Sequence, residues 1–157
     1  MDVRLIWFAT KVYFTYIYVI FNVICARTSL CFQNAIVLAS TTGAGSSLLR
    51  KQKKLHQIIS SASSVLSKRG IPFTVKMRTG YFDHENIAHE LIPEIFSSGA
   101  AAVSLHGRTR QQRYSKLADW NYIKKCVASA GDKPVIGNGD IYTFEEYYNQ
   151  VTTTRNK

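Results

Sequence analysis

Residues 103–114 read VSLHGRTRQQRY, a short apolar run that ends at His106-Gly107 and opens into a loop carrying Arg108, Arg110 and Arg113. An apolar strand that breaks at a glycine into a polar loop is the form of a binding or catalytic loop on a parallel sheet. Outward from it, VKMRTG at 75–80 and VIGNGD at 135–140 repeat the form, each running from an apolar strand into a polar, glycine-bearing turn. Three such turns in succession predict one shared site.

Helical periodicity fills the intervals. Within 47–68, Leu48, Leu55, Ile59 and Leu66 recur at steps of seven and four. Ile58, Ala62 and Val65 lie beside them, which makes one face of a helix, with Ser46 or Ser47 as its cap and Gly70 as its stop. The run Arg50-Lys51-Gln52-Lys53-Lys54 on its first turns opposes the helix dipole, so it reads as a solvated or RNA-facing patch. Phe73, Val75 and Met77 then alternate with Thr74, Lys76 and Arg78, the period of a strand. Asp83 is placed to cap a helix that buries Ile87, Leu91 and Ile95, with Pro93 bending it and Gly99 ending it. A second strand covers 101–105. Asp119 caps a helix through Trp120, Ile123 and Val127 to Gly131, and a third strand covers 134–136. Thr143 and Glu146 form a capping box for a last helix from Phe144.

Strands therefore recur about every thirty residues, the length of a βαβ unit, which predicts an α/β fold with a parallel sheet. Such units build either an open doubly wound sheet or an eight-stranded barrel of roughly 250 residues. With three readable strands, the chain is expected to supply part of either.

Its 157 residues amount to about one domain, and 46% hydrophobic residues are enough for a core. Twenty Lys and Arg against ten Asp and Glu give a charge of +10, which attracts RNA or an anionic membrane surface. Cys25, Cys31 and Cys126 show neither metal-ligand spacing nor an even-numbered disulfide framework, so no metal is expected and a reducing, cytoplasmic or nuclear setting fits. Residues 5–26 are apolar and aromatic, nearly the roughly 20 residues a membrane span needs. Composition changes sharply near Gly43, and a boundary falls at about Thr42. Residues 1–42 are read first as foreign to the domain at 43–157, with a membrane segment or a signal-peptide core as alternatives.

In both folds the functional face lies at the C-terminal ends of the strands, where Lys76, Arg78, His106, Arg108, Asn138 and Asp140 converge. Lys76 falls in a strand expected to be buried on both faces, so its ammonium needs an anionic or strongly hydrogen-bonding partner, either a ligand or a structural carboxylate. His106 is either a core histidine or the head of the Gly-Arg-x-Arg loop. Asn138-Gly139-Asp140 is either a tight turn or a ligand contact. Arg108, Arg110, Arg113 and Lys116 are either a solvated basic loop or phosphate contacts.

VKMRTG, LHGRTRQQRYSKLADWNYI at 105–123 and PVIGNGDI at 134–141 resemble, in order and spacing, the signature passages of the tRNA-dihydrouridine synthases. The nearest branch is the eukaryotic tRNA-dihydrouridine(47) synthases, and the resemblance covers about 43–150. It implies an FMN-bearing TIM barrel, of which this chain holds the middle βα units, followed in the whole enzyme by a helical tRNA-binding domain. The implied reaction uses NADPH to reduce FMN, which then reduces the C5–C6 double bond of a tRNA uridine. By the same resemblance Lys76 contacts the flavin ring and His106 lies at the flavin and the substrate uracil. Asn138, Gly139 and Asp140 line the ribityl and phosphate side, and Arg78, Arg108 and Arg110 meet RNA or flavin phosphate.

Three departures stand out. The family's proton-donating cysteine lies in an Asn-x-Gly-Cys-Pro context, whereas Cys31 sits in CFQNAI, so no catalytic residue is assigned. Cys126 falls in a helix outside the sheet and reads as a small hydrophobe. The opening strands of the family, its last barrel units and its tRNA domain are not recognisable. The chain is expected to be truncated and inactive alone, with a non-catalytic, basic RNA-binding remnant, possible membrane anchor included, as the alternative reading.

Overall fold

The computed structural model describes residues 44–155, so the apolar stretch at 5–26, Cys31 and the boundary near Thr42 lie outside the described residues. Within them a 3-10 helix at Gly45–Arg50 leads into α1 (Gln52–Ser67), β1 (Thr74–Arg78), α2 (Ala88–Ser97), β2 (Ala102–His106), α3 (Trp120–Ala130), β3 (Val135–Asn138) and α4 (Phe144–Arg155). The strands form a sheet in the order β1-β2-β3, parallel throughout. The expected βαβ succession is therefore present.

Period two decides which side of each strand is covered. Val75, Met77, Val103, Leu105 and Val135 are buried and share one core with Leu91, Ile92 and Ile95 of α2 and Ile123 and Cys126 of α3. The opposite face carries Lys76, Ser104 and Ile136 in one register row, and Ile136 there is 45% exposed. The strands are thus not buried on both faces. Lys76 is exposed.

Local signals place most helix ends. Asp119 Oδ1 accepts from the Tyr122 N–H at 2.9 Å, and Gly131 follows α3 at φ 63°. Thr143 and Glu146 complete the capping box, with the Thr143 N–H donating to Glu146 Oε2 and the Glu146 N–H to Thr143 Oγ1. Gly99, at φ 104°, closes α2.

Four expectations need correction. The first helix is interrupted at Lys51: residues Gly45–Arg50 form a 3-10 turn that buries Leu48 and Leu49, and the α-helix begins only at Gln52. Neither Ser46 nor Ser47 caps α1; Ser47 is buried and donates to the Ala44 carbonyl. Val65 is 60% exposed, being rotated roughly 80° from Leu55 around the helix. Asp83 does not cap α2. The N–H groups of Ile87 and Ala88 donate instead to the Thr79 carbonyl, at 2.9 and 3.0 Å, which frees Asp83 for another partner.

Candidate active site

Parallel register sets Arg78 opposite His106 and His106 opposite Asn138, so three polar side chains form a row at the C-terminal ends of the strands. Lys76 stands one row below. Its Nζ reaches across β2 to Asn138 Oδ1 at 3.4 Å, so the partner is a neutral amide and not a carboxylate. Arg78 donates through Nη1 to the Thr109 carbonyl at 3.1 Å. Neither cation enters an ion pair among the described residues. Desolvation, and then Arg78, lower the pKa of Lys76. Desolvation likewise lowers that of Arg78, against the pull of Tyr114, with Arg108 and Arg110 adding to the drop. Two cations thus share one end of the sheet.

His106 is buried, and burial, reinforced by Arg78, Arg108 and Lys76 against the opposing pull of Asp140, lowers its pKa to about 4. The ring is neutral at physiological pH. Its Nε2 lies 3.3 Å from Arg108 Nη1. Arg108 is itself only 4% exposed. Its Nη2 donates to both carboxylate oxygens of Asp140 at 2.7 Å, and its Nε to the Lys116 carbonyl at 2.6 Å. Asp140 also accepts from the Ala118 N–H. Partial burial opposes ionisation of Asp140, but the Ala118 N–H and Arg108 outweigh it and hold its carboxyl below the usual range.

The glycines have a packing reason. A Cβ on Gly137 would meet the Trp120 ring at 2.6 Å, and one on Gly139 would meet Ala118 Cβ at 2.7 Å and His106 Cδ2 at 3.0 Å. Trp120 Nε1 donates to the Gly139 carbonyl, which pins the turn after β3 to α3.

The loops after β1 and β2 are joined. Thr79 N–H donates to the Arg108 carbonyl, Arg110 N–H to the Gly80 carbonyl and Gln111 N–H to the Tyr81 carbonyl. Thr109 Oγ1 donates to Asp83 Oδ1 at 3.0 Å, the partner that the sequence reading missed. Two guanidinium groups lie near the Tyr81 ring, that of Arg50 at 5.2 Å and that of Arg110 at 5.6 Å from its centre.

With this geometry in view, the comparisons with known proteins are specific. The family described as dihydrouridine synthase (Dus) matches residues 38–156. The chain belongs to the Dus family. A human protein named tRNA-dihydrouridine(47) synthase NAD(P)(+)-like is 47% identical over 111 residues, covering 71% of this chain and 17% of that protein. A rice protein of the same name is 47% identical over 111 residues, covering 70% and 16%. A Coprinopsis cinerea tRNA-dihydrouridine(47) synthase NAD(P)(+) is 43% identical over 126 residues, covering 74% and 18%. The chain thus spans about a sixth of the length of these relatives.

Of the residues singled out in this Dus chain, Lys76, Arg78, His106 and Asn138 come together on one face. Arg108 and Asp140 are spent on each other, so neither presents a free charge at the rim. Arg110 lies at the rim beside Tyr81. Thr79 and Thr109, each following an arginine in MRTG and GRTR, are fully buried and escaped the sequence reading. That repeated Arg-Thr pair was the available signal. Cys126 is a buried free thiol, as expected of a small core residue. Among the described residues no cluster could hold a metal, and no helix is long and apolar enough to cross a membrane.

Proposed function

We propose that this chain contributes the central βα units of a (β/α)8 barrel in an FMN-dependent tRNA-dihydrouridine synthase, an oxidoreductase acting in the cytoplasm or nucleus with NADPH as reductant. The observation that carries the reading is the row Arg78-His106-Asn138, with Lys76 beneath it, at the C-terminal ends of consecutive parallel strands. Strands in sequential order with helices on one face fit a barrel better than a doubly wound sheet, whose helices cover both faces.

The residues present suit an anionic cofactor, because Lys76 and Arg78 share this face without a carboxylate partner among the described residues. FMN, when bound, supplies the hydride for reduction of the uracil C5–C6 double bond. Lys76 and Asn138 would hold the flavin, with the Lys76 ammonium offsetting negative charge on it. The polar side of the Asn138-Gly139-Asp140 turn would face the ribityl chain, with Asp140 acting through Arg108. His106, neutral and fixed in place, would hydrogen-bond the uracil or the flavin. Arg78 and Arg110 would bind phosphate, which arginine does well. The target base would have to leave its stack to reach this face.

The test is to make a complete synthase that contains these βα units, record its flavin absorbance, and measure dihydrouridine in tRNA for Lys76→Ala and His106→Ala in it. The reading expects bound FMN and losses of at least about 100-fold, the scale for removing a preorganised polar group from an active site. Normal dihydrouridine formation in both variants would refute the placement. Retained RNA binding with no flavin would support the non-catalytic alternative, which rests on the basic rim of Arg50 and Arg110 around Tyr81.

A further inference from the structure

We propose that Arg108 is a positioning residue that fixes His106 in the Nδ1–H tautomer, so that the ring meets its ligand as a hydrogen-bond donor. A guanidinium has five N–H groups and no acceptor, so the nitrogen facing it has to accept. Arg108 Nη1 faces His106 Nε2 at 3.3 Å, which leaves the lone pair on Nε2 and the proton of the neutral ring on Nδ1. Nε2, and not Nδ1, is the ring nitrogen that meets a hydrogen-bond partner among the described residues.

The geometry is built to hold. Arg108 cannot swing away, since Asp140 takes its Nη2, the Lys116 carbonyl takes its Nε, and the residue is buried. Gly139 closes the other side of Nε2, where even a Cβ would come within 3.2 Å. Lys76 and Arg78 add positive charge around the ring, and Asp140, the nearby anion, is already engaged by Arg108, so the ring stays neutral. Free histidine prefers its neutral proton on Nε2, so the pairing with Arg108 reverses the intrinsic choice. The ligand atom opposite His106 must then be an acceptor, such as a carbonyl oxygen. That last step rests on the function proposed above, whereas the tautomer does not.

Nitrogen-15 spectra of the full chain with labelled histidine test it directly, with the His106 signal assigned by its loss in His106→Gln. At neutral pH the wild-type ring is expected to show Nδ1–H, and Arg108→Met is expected to make Nε2–H the major form. A wild-type ring in the Nε2–H form overturns the proposal whether or not the variant folds. An unchanged Nδ1–H ring in folded Arg108→Met overturns the role of Arg108. Because the spectrum needs neither FMN nor RNA, failure here is distinct from failure of the functional reading.

Discussion

Arg108 Nη2 lies 2.7 Å from both carboxylate oxygens of Asp140, joining the loop after β2 to the turn after β3. The two side chains are 4% and 17% exposed, so the pair is poorly screened. Asp140→Ala leaves a buried guanidinium without its counter-charge, and breaking such pairs costs about 3 kcal/mol or more. Urea unfolding at pH 7 should show that loss; a change below about 1 kcal/mol would mean that the pair behaves as a surface bridge.

Acid sensitivity should begin well above the carboxylate range. His106 has a native pKa of about 4. Against an unfolded value of roughly 6.5, the unfolded chain binds more protons throughout that window. Stability therefore falls as pH drops from about 6.5 to about 4, by on the order of 3 kcal/mol. Asp140, whose pKa is depressed, contributes stability above its unfolded value of roughly 3.9 that is lost as pH falls through its native value, so it adds a second decline at lower pH. Unfolding curves at pH 5 and 7 should differ for the wild type and much less for His106→Gln. Equal differences would show that the ring takes up protons without penalty.

Two glycine-to-alanine substitutions should behave oppositely in severity. At Gly80 a new Cβ would collide with the Glu85 carbonyl, so the loop after β1 has to rebuild. At Gly70 nothing lies within 4 Å, and only the left-handed backbone at φ +67° opposes a side chain. Gly70→Ala should cost about 1 kcal/mol, and Gly80→Ala several-fold more. Thermal melts of the two would settle the order, and similar melting temperatures would contradict the packing around Gly80.

Gly139→Ala meets both obstacles, with φ +125° and close contact to Ala118 and His106. A loss of about 2–3 kcal/mol is expected, accompanied by a rise in the His106 pKa as the ring is pushed outward. Titration of His106 by NMR would detect it; an unmoved pKa in a folded variant would mean that the turn yields and the ring does not.

What the sequence revealed was local. Period-two alternation marked β1, and Asp119, Thr143, Glu146, Gly99 and Gly131 marked helix ends, because each signal acts within about one turn of chain. Lys76, His106 and Asn138 were legible as site candidates from their place at strand ends, and the register groups them. Partners distant in the chain were not legible. Asp83 suits a cap by its spacing, yet its partner is Thr109, 26 positions on. Arg108 and Asp140 each read as a ligand contact because nothing in a linear sequence says that two charges cancel. Leu48 and Leu49 show the same limit at short range, since the helical period singled out Leu48 alone while the core buries both.

The reciprocal hydrogen bonds between the loops after β1 and β2 bear on motion. Thr79, Arg110 and Gln111 donate across the gap, and Thr79 also receives the first amides of α2. Opening one loop breaks the bonds of the other, so the two should exchange their amide hydrogens with a common protection, as one cooperative unit. This rim would then act as a hinged plate rather than as two independent flaps, and any nucleotide that entered beneath it would displace both loops or neither.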